Sequence, residues 1–166
     1  MPSTAEVTRE HFDAVGRQDL AAMGATWAEG GTSRLVGLAE LEAPAGVVEW
    51  FSELFGCFPD FKLTIDETVV EGETSVARWT ADATFDGSGT FEGFKPNGAR
   101  IRIEGMDILT IRDSQIQTLI AFLNGLDLAR QIGAVPPAGS APDKAMAAAF
   151  NAKTAISLTV KKLRSS

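Results

Sequence analysis

Three side chains in this sequence could move a proton or hold a polarised oxygen: Asp107, His11 and Asn124. Asp107 stands in EGMDILTIRD (104–113), a run whose Met106, Ile108, Leu109 and Ile111 suit a pleated surface, where aspartate is depleted. One face of that strand carries Ile103, Gly105, Asp107, Leu109 and Ile111; the other carries Arg102, Glu104, Met106, Ile108, Thr110 and Arg112. The alternation turns Asp107 inward, where a carboxyl group has to be paired, hydrogen-bonded or protonated. There it could donate a hydrogen bond to a carbonyl that gains negative charge, or act as a base when ionised. It could equally bond a buried backbone group or pair with Arg34. His11, the single histidine, lies with Val7, Ala14 and Val15 on an apolar helical stripe. Its ordinary pKa is close to neutrality, so it could shuttle a proton or hold a carbonyl oxygen, or simply be a half-buried helix residue. Asn124 could orient a substrate carbonyl or a water, or cap the end of the last strand.

Those groups need elements to place them. Helical spacing predicts a helix over 4–17 with Thr4 as N-cap, and a second over 19–29, capped by Asp19, burying Leu20, Met23 and Trp27 and stopped by Gly30-Gly31. A short strand is expected at 33–38, then a helix over 45–55 opened by Pro44. From Phe61 the period falls to two. Strands are expected at 61–71, 75–86, 90–95, 99–112 and 115–124, separated by Gly-, Asn- and Asp-rich turns, with a helical turn over 126–132. VPPAGSAP (135–142) reads as a linker and 143–163 as an alanine-rich helix with a loose stripe of Met146, Phe150, Ile156, Val160 and Leu163. The division is therefore a domain over 1–134, a linker over 135–142 and a C-terminal basic helix over 143–166.

Three helices followed by antiparallel strands indicate an α+β architecture: a strongly bent antiparallel sheet, a cone-shaped barrel, wrapped around three N-terminal helices, plus the C-terminal helix. Its hollow is the expected ligand site. Trp79, Ala81, Ala83 and Phe85 alternate with Arg78, Thr80, Asp82 and Thr84, so the first set faces the interior. Trp79, Phe85, Phe51, Phe122, Trp50 and Leu35 are the expected walls of an apolar pocket, although aromatic residues at such spacing also serve as plain core.

Composition narrows the function classes. With 45% apolar and 22% charged residues the chain is ordinary globular material. Its apolar runs, such as 119–123, are too short to span a bilayer, and MPSTAEVTRE has no apolar signal core, so a cytoplasmic protein is expected. One cysteine and one histidine exclude an internal disulfide and a Cys/His zinc site; no metal and no cofactor is expected. Of the net charge of −7, residues 143–166 hold +4 and the rest −11, which argues against nucleic acid as the partner. Cys57 lacks a nearby histidine and is not expected to be reactive, and Gly87-Ser88-Gly89 reads as a hairpin turn.

QDLAAMGATWAEG (18–30), FPDF (58–61), ARWTADATFDG (77–87), GFKPNGARI (93–101), GMDILTIRD (105–113) and LDLARQIG (126–133) resemble, in order and spacing, segments of the SnoaL-like polyketide cyclases and their relatives the ketosteroid isomerases. Both belong to the nuclear-transport-factor-2-like superfamily. The resemblance covers most of 5–135 and implies the cone fold and a homodimer through the outer face of the sheet. It departs at the functional positions. The usual cyclase acid falls on Asn124, the family's Gly-Thr-His is Ala83-Thr84-Phe85, and the isomerase base falls near Leu35. Met106-Asp107-Ile108 does resemble the isomerase strand that carries a protonated aspartate, one of two oxyanion donors. The other donor, a helix-one tyrosine, corresponds to His11.

The implied function is a small cofactor-independent cyclase or isomerase for an apolar polyketide- or terpenoid-like substrate. Asp107, with His11 or Asn124, would stabilise an enolate or move one proton. A non-catalytic small-molecule-binding protein that kept the cone and lost the base is the first alternative. An epoxide-opening hydrolase or cyclase, needing Asp82 or Glu104 beside Asp107, is the second.

Overall fold

A computed structural model describes residues 1–164. In chain order the elements are α1 (Thr4–Gly16), α2 (Leu20–Ala25), β1 (Trp27–Leu35), β2 (Ala39–Glu42), α3 (Ala45–Cys57), β3 (Lys62–Glu71), β4 (Thr74–Phe85), β5 (Ala99–Arg112), β6 (Gln115–Leu123), α4 (Gly125–Gln131) and α5 (Ala141–Arg164). The α+β architecture of the sequence reading holds. Its wholly antiparallel, barrel-like sheet does not: six strands run β2-β1-β6-β5-β4-β3, β1 and β6 are parallel, and β2 and β3 remain open edges.

Local chemistry starts the helices. Ser3, not Thr4, caps α1 in a reciprocal box: its hydroxyl accepts from the Glu6 backbone N–H, and the Glu6 carboxylate accepts from the Ser3 backbone N–H at 2.8 Å. Asp19 caps α2, accepting from the Ala22 N–H at 3.0 Å. That helix ends at Ala25, four residues short of expectation, and Trp27 already belongs to β1. Gly30-Gly31 is no helix stop. It falls where the β1–β6 register shifts between Trp27 and Thr32. Of the strand expected at 33–38, only 33–35 are strand, as the end of β1; residues 36–38 turn into β2, which is an addition.

Alternation decides what the sheet buries. On β4, Ala77, Trp79, Ala81, Ala83 and Phe85 are buried; on β5, Ile101, Ile103, Asp107, Leu109 and Ile111 are. Helices α1 and α3 cover that face with Val7, Phe12, Val15, Val47 and Leu54. Phe58 stacks on Phe85 with centroids 4.8 Å apart, which joins the end of α3 to the end of β4. The same joint brings the Gly87 backbone N–H to the Cys57 carbonyl at 3.0 Å, and a Cβ on Gly87 would collide with the Gly56 carbonyl. The strand expected at 90–95 is absent. Glu92 and Gly93 both take positive φ, and Phe91 and Phe94 close a tight turn by a single bridge.

The C-terminal helix begins at Ala141 and touches the body sparsely, through an Arg130–Asp143 ion pair at 3.8 Å. Met146, Phe150, Ile156 and Val160 are exposed along it. Leu163, expected on the same stripe, has a side chain outside those described.

Candidate functional site

Between the buried face of the sheet and helices α1 and α3 lies a cavity of about 70 Å³. Helix α1 contributes His11, Phe12 and Val15; α3 contributes Val47, Trp50, Phe51 and Leu54; the strands contribute Trp27, Ser33, Leu35, Trp79, Ile101, Ile103, Asp107, Leu119 and Ala121. The lining is almost wholly apolar, with no lysine or arginine among the described residues.

Asp107 is 7% exposed. The Trp79 indole Nε1–H donates to its Oδ1 at 2.9 Å. Burial pushes the carboxyl up to about 7, and the indole bond, which favours the ionised form, pulls it back. The indole reaches Asp107 because of a neighbour. Gly105 is the β5 partner of Trp79, and a Cβ at Gly105 would collide with the indole ring. The absent side chain lets the ring lie along β5 and deliver its N–H two residues further on.

His11 is 2% exposed. Its Nδ1 meets Thr26 Oγ1 at 2.9 Å, and the Thr26 hydroxyl donates to the Met23 carbonyl at 2.7 Å. Phe12 and Trp27 stand edge-on to the ring at centroid distances of 5.3 and 5.8 Å. Burial drives the His11 pKa down to about 4, so the ring is neutral at neutral pH.

Of the other residues singled out in the sequence, Trp50, Phe51, Trp79 and Leu35 line this cavity with Asp107 and His11. Three do not. Phe85 is fully buried against Phe58, behind the wall. Phe122 is 42% exposed on the outer face, where it pairs with Met106. Asn124 is exposed and caps α4, accepting from the Asp127 N–H at 3.1 Å. The Asp107–Arg34 pair does not form, because Arg34 is exposed. Asp82 and Glu104 are likewise exposed, and Asp82 is bound to Arg102 at 2.8 Å. Neither can share the cavity with Asp107.

Two polar lining groups escaped the sequence reading. Ser33 takes an inward phase between Gly31 and Leu35, which strand alternation from residue 31 would have shown. Trp27, placed in a helix from sequence, has a buried indole N–H that meets no acceptor among the described residues. Among the described residues, no cluster of three or more His, Cys, Asp or Glu side chains is placed to hold a metal ion.

The SnoaL-like domain model matches residues 8–118. Among solved structures, the chain is similar to a proposed SnoaL-like polyketide cyclase from Jannaschia sp. CCS1, with 24% identity and a TM-score of 0.72 over 80% of this chain and 93% of that one. It is similar to IdmH, a proposed polyketide cyclase from Streptomyces antibioticus, at 20% identity and TM-score 0.67 over 80% and 99%. An LEH-like epoxide hydrolase from M. tuberculosis matches at 11% identity and TM-score 0.63 over 78% and 88%. At these identities the structures speak for the shared fold. No curated protein matches the sequence.

Proposed function

The chain belongs to the SnoaL-like domain family, and from that premise we propose that it is a small cofactor-independent cyclase or isomerase acting on an apolar polyketide- or terpenoid-like molecule held in the cavity. The observation that carries the reading is Asp107: a carboxyl group on the wall of an apolar hollow, pushed up to about 7. A group poised there populates both forms near neutrality and can take a proton and return it. As carboxylate, Asp107 abstracts the proton beside a substrate carbonyl. As carboxylic acid, it returns that proton or donates a hydrogen bond to the enolate oxygen. Trp79 keeps the carboxylate accessible, and the aromatic walls hold the carbon skeleton and exclude water.

The test needs no knowledge of the natural substrate. 2-Decalone in D2O exchanges the protons beside its carbonyl, and NMR follows the loss of signal. The protein accelerates that exchange with a rise in rate centred near pH 7, and Asp107→Asn abolishes the acceleration. Equal exchange with the variant would sink the assignment of Asp107.

A non-catalytic binding protein is the second reading. It is favoured by Asn124, which occupies the place of the usual cyclase acid and spends its side chain on a helix cap. This reading expects 2-decalone to bind with no exchange in either protein.

We also assign a homodimer formed through the outer face of the sheet. Met106 and Phe122, opposite each other on β5 and β6, are 40% and 42% exposed there. No helix among the described residues is long and apolar enough to cross a membrane, and a cytoplasmic site of action is part of the proposal.

A further inference from the structure

We propose that His11 presents a bare Nε2 to the cavity as a hydrogen-bond acceptor and thereby selects an uncharged ligand that carries a hydroxyl group. The inference rests on the reading of the cavity as a ligand site, and it names the ligand chemistry.

The directions of two hydrogen bonds fix the tautomer of the ring. A threonine hydroxyl has one proton, and a backbone carbonyl can only accept. The 2.7 Å bond from Thr26 Oγ1 to the Met23 carbonyl therefore uses that proton. The 2.9 Å contact between Thr26 and His11 then has one arrangement left: His11 Nδ1–H donates to the hydroxyl oxygen. A neutral imidazole has a single N–H, so Nε2 carries a lone pair. The ring is neutral, because burial holds its pKa at about 4. Among the described residues no donor meets Nε2, and the ring lines the cavity.

An acceptor that faces an apolar cavity with no donor is poorly satisfied there, and a ligand O–H satisfies it. The polarity is opposite to that of the oxyanion donor the family resemblance implies at this position. A carbonyl oxygen set against Nε2 would meet a second lone pair. Charge is disfavoured in the same place. Among the described residues no lysine or arginine lines the cavity to receive an anion, and the same burial that raises the Asp107 pKa penalises an ionic guest of either sign. The ligand that fits both groups has an apolar skeleton, a hydroxyl directed at His11 and an oxygen able to accept from the Asp107 carboxylic acid.

The chain makes the test direct. It has one histidine, so a long-range ¹H–¹⁵N spectrum of the free protein reads the tautomer from a single ring. It has three tryptophans, Trp27, Trp50 and Trp79, and all line the cavity, so indole fluorescence reports binding. Borneol and camphor share a skeleton and differ as alcohol and ketone. At pH 6, with His11 neutral, the spectrum shows Nδ1 protonated and Nε2 bare, and borneol binds about fivefold or more tighter than camphor. His11→Phe removes the preference. Thr26→Val releases the Nδ1–H from its acceptor, lets the ring take the other tautomer and shrinks the ratio towards one. A protonated Nε2 in the native protein, or camphor bound as tightly as borneol, overturns the inference. These native-protein measurements decide even where a variant fails to fold. Failure of both probes to bind overturns the ligand-site reading while the spectrum still reports the tautomer. Since no turnover is measured, loss of proton exchange in 2-decalone leaves this result standing.

Discussion

Gly105 lies directly across β4 and β5 from Trp79, and the indole occupies the space that any larger residue at 105 would fill. Gly105→Ala therefore pushes the ring aside. We expect it to cost about 1–3 kcal/mol of stability through overpacking. It also weakens the 2.9 Å bond that favours the Asp107 carboxylate, so the Asp107 pKa rises above about 7. The carboxyl ¹³C shift of Asp107 against pH checks this. A midpoint unchanged in Gly105→Ala would mean that the glycine serves packing alone.

Asp107 and His11 tilt the pH dependence of stability in opposite directions. Folding raises Asp107 from its ordinary 3.8 to about 7, so the unfolded chain releases that proton first and stability falls as pH rises through this range. Folding lowers His11 from 6.5 to about 4, so the unfolded chain takes up a proton first and stability falls as pH drops through that range. The two slopes largely cancel between about pH 4 and 6.5. Relative to the native protein, Asp107→Asn gains roughly 4 kcal/mol as pH rises from 4 to 7, and His11→Phe gains roughly 3 kcal/mol as pH falls from 6.5 to 4. Urea unfolding at a series of pH values measures both differences. Parallel curves for native and variant proteins would contradict the burial of these groups.

Asn124 separates a structural from a chemical role. Asn124→Ala should cost about 0.5–2 kcal/mol, the usual loss for an N-cap. Exchange of 2-decalone protons by the variant should match that of native protein. A variant of native stability with impaired exchange would return Asn124 to the active machinery.

The proposed dimer gives a simple outcome in sedimentation. Phe122→Lys places a charge at an apolar face beside Met106 and is expected to yield monomers. Its effect on the stability of the single chain should stay within about 0.5 kcal/mol, since the side chain is exposed. A native protein that sediments as a monomer at high concentration would remove the assignment.

The joint between α3 and β4 predicts a larger penalty. A methyl group at Gly87 would collide with the Gly56 carbonyl and crowd Cys57. Gly87→Ala should therefore lower the melting temperature more than Gly105→Ala does, because backbone rather than a side chain must move. Thermal unfolding of the two variants side by side provides the comparison.

The parts of the fold legible in the sequence were those with local contrast. On β4 and β5 apolar and polar residues alternate, so the inward phase of Trp79 and Asp107 could be read residue by residue. In β6 the run 119–123 is apolar throughout, and the same rule could not tell that Phe122 faces outward while Leu119 and Ala121 face in. Strand β1 was mistaken at its start because its partner β6 lies far along the chain, and such pairing leaves no mark on the residues near Trp27. At the Phe91–Phe94 turn the aromatic composition suggests a strand, and the backbone demand of Glu92-Gly93 overrides it. The bond from Trp79 to Asp107 lay beyond sequence reasoning. It depends on a register that sets Gly105 opposite Trp79.

The parallel seam between β1 and β6 has a bearing on how the chain is made. Residues 27–42 emerge from the ribosome early, yet their hairpin joins the rest of the sheet only through residues 116–121. Until those arrive, the nascent hairpin has no β6 partner and the β1 edge stays open to other chains. Completion of the sheet is thus gated by synthesis of the last strand, and a growing chain halted before residue 116 would present an unpaired edge to whatever chaperone or neighbour stood near.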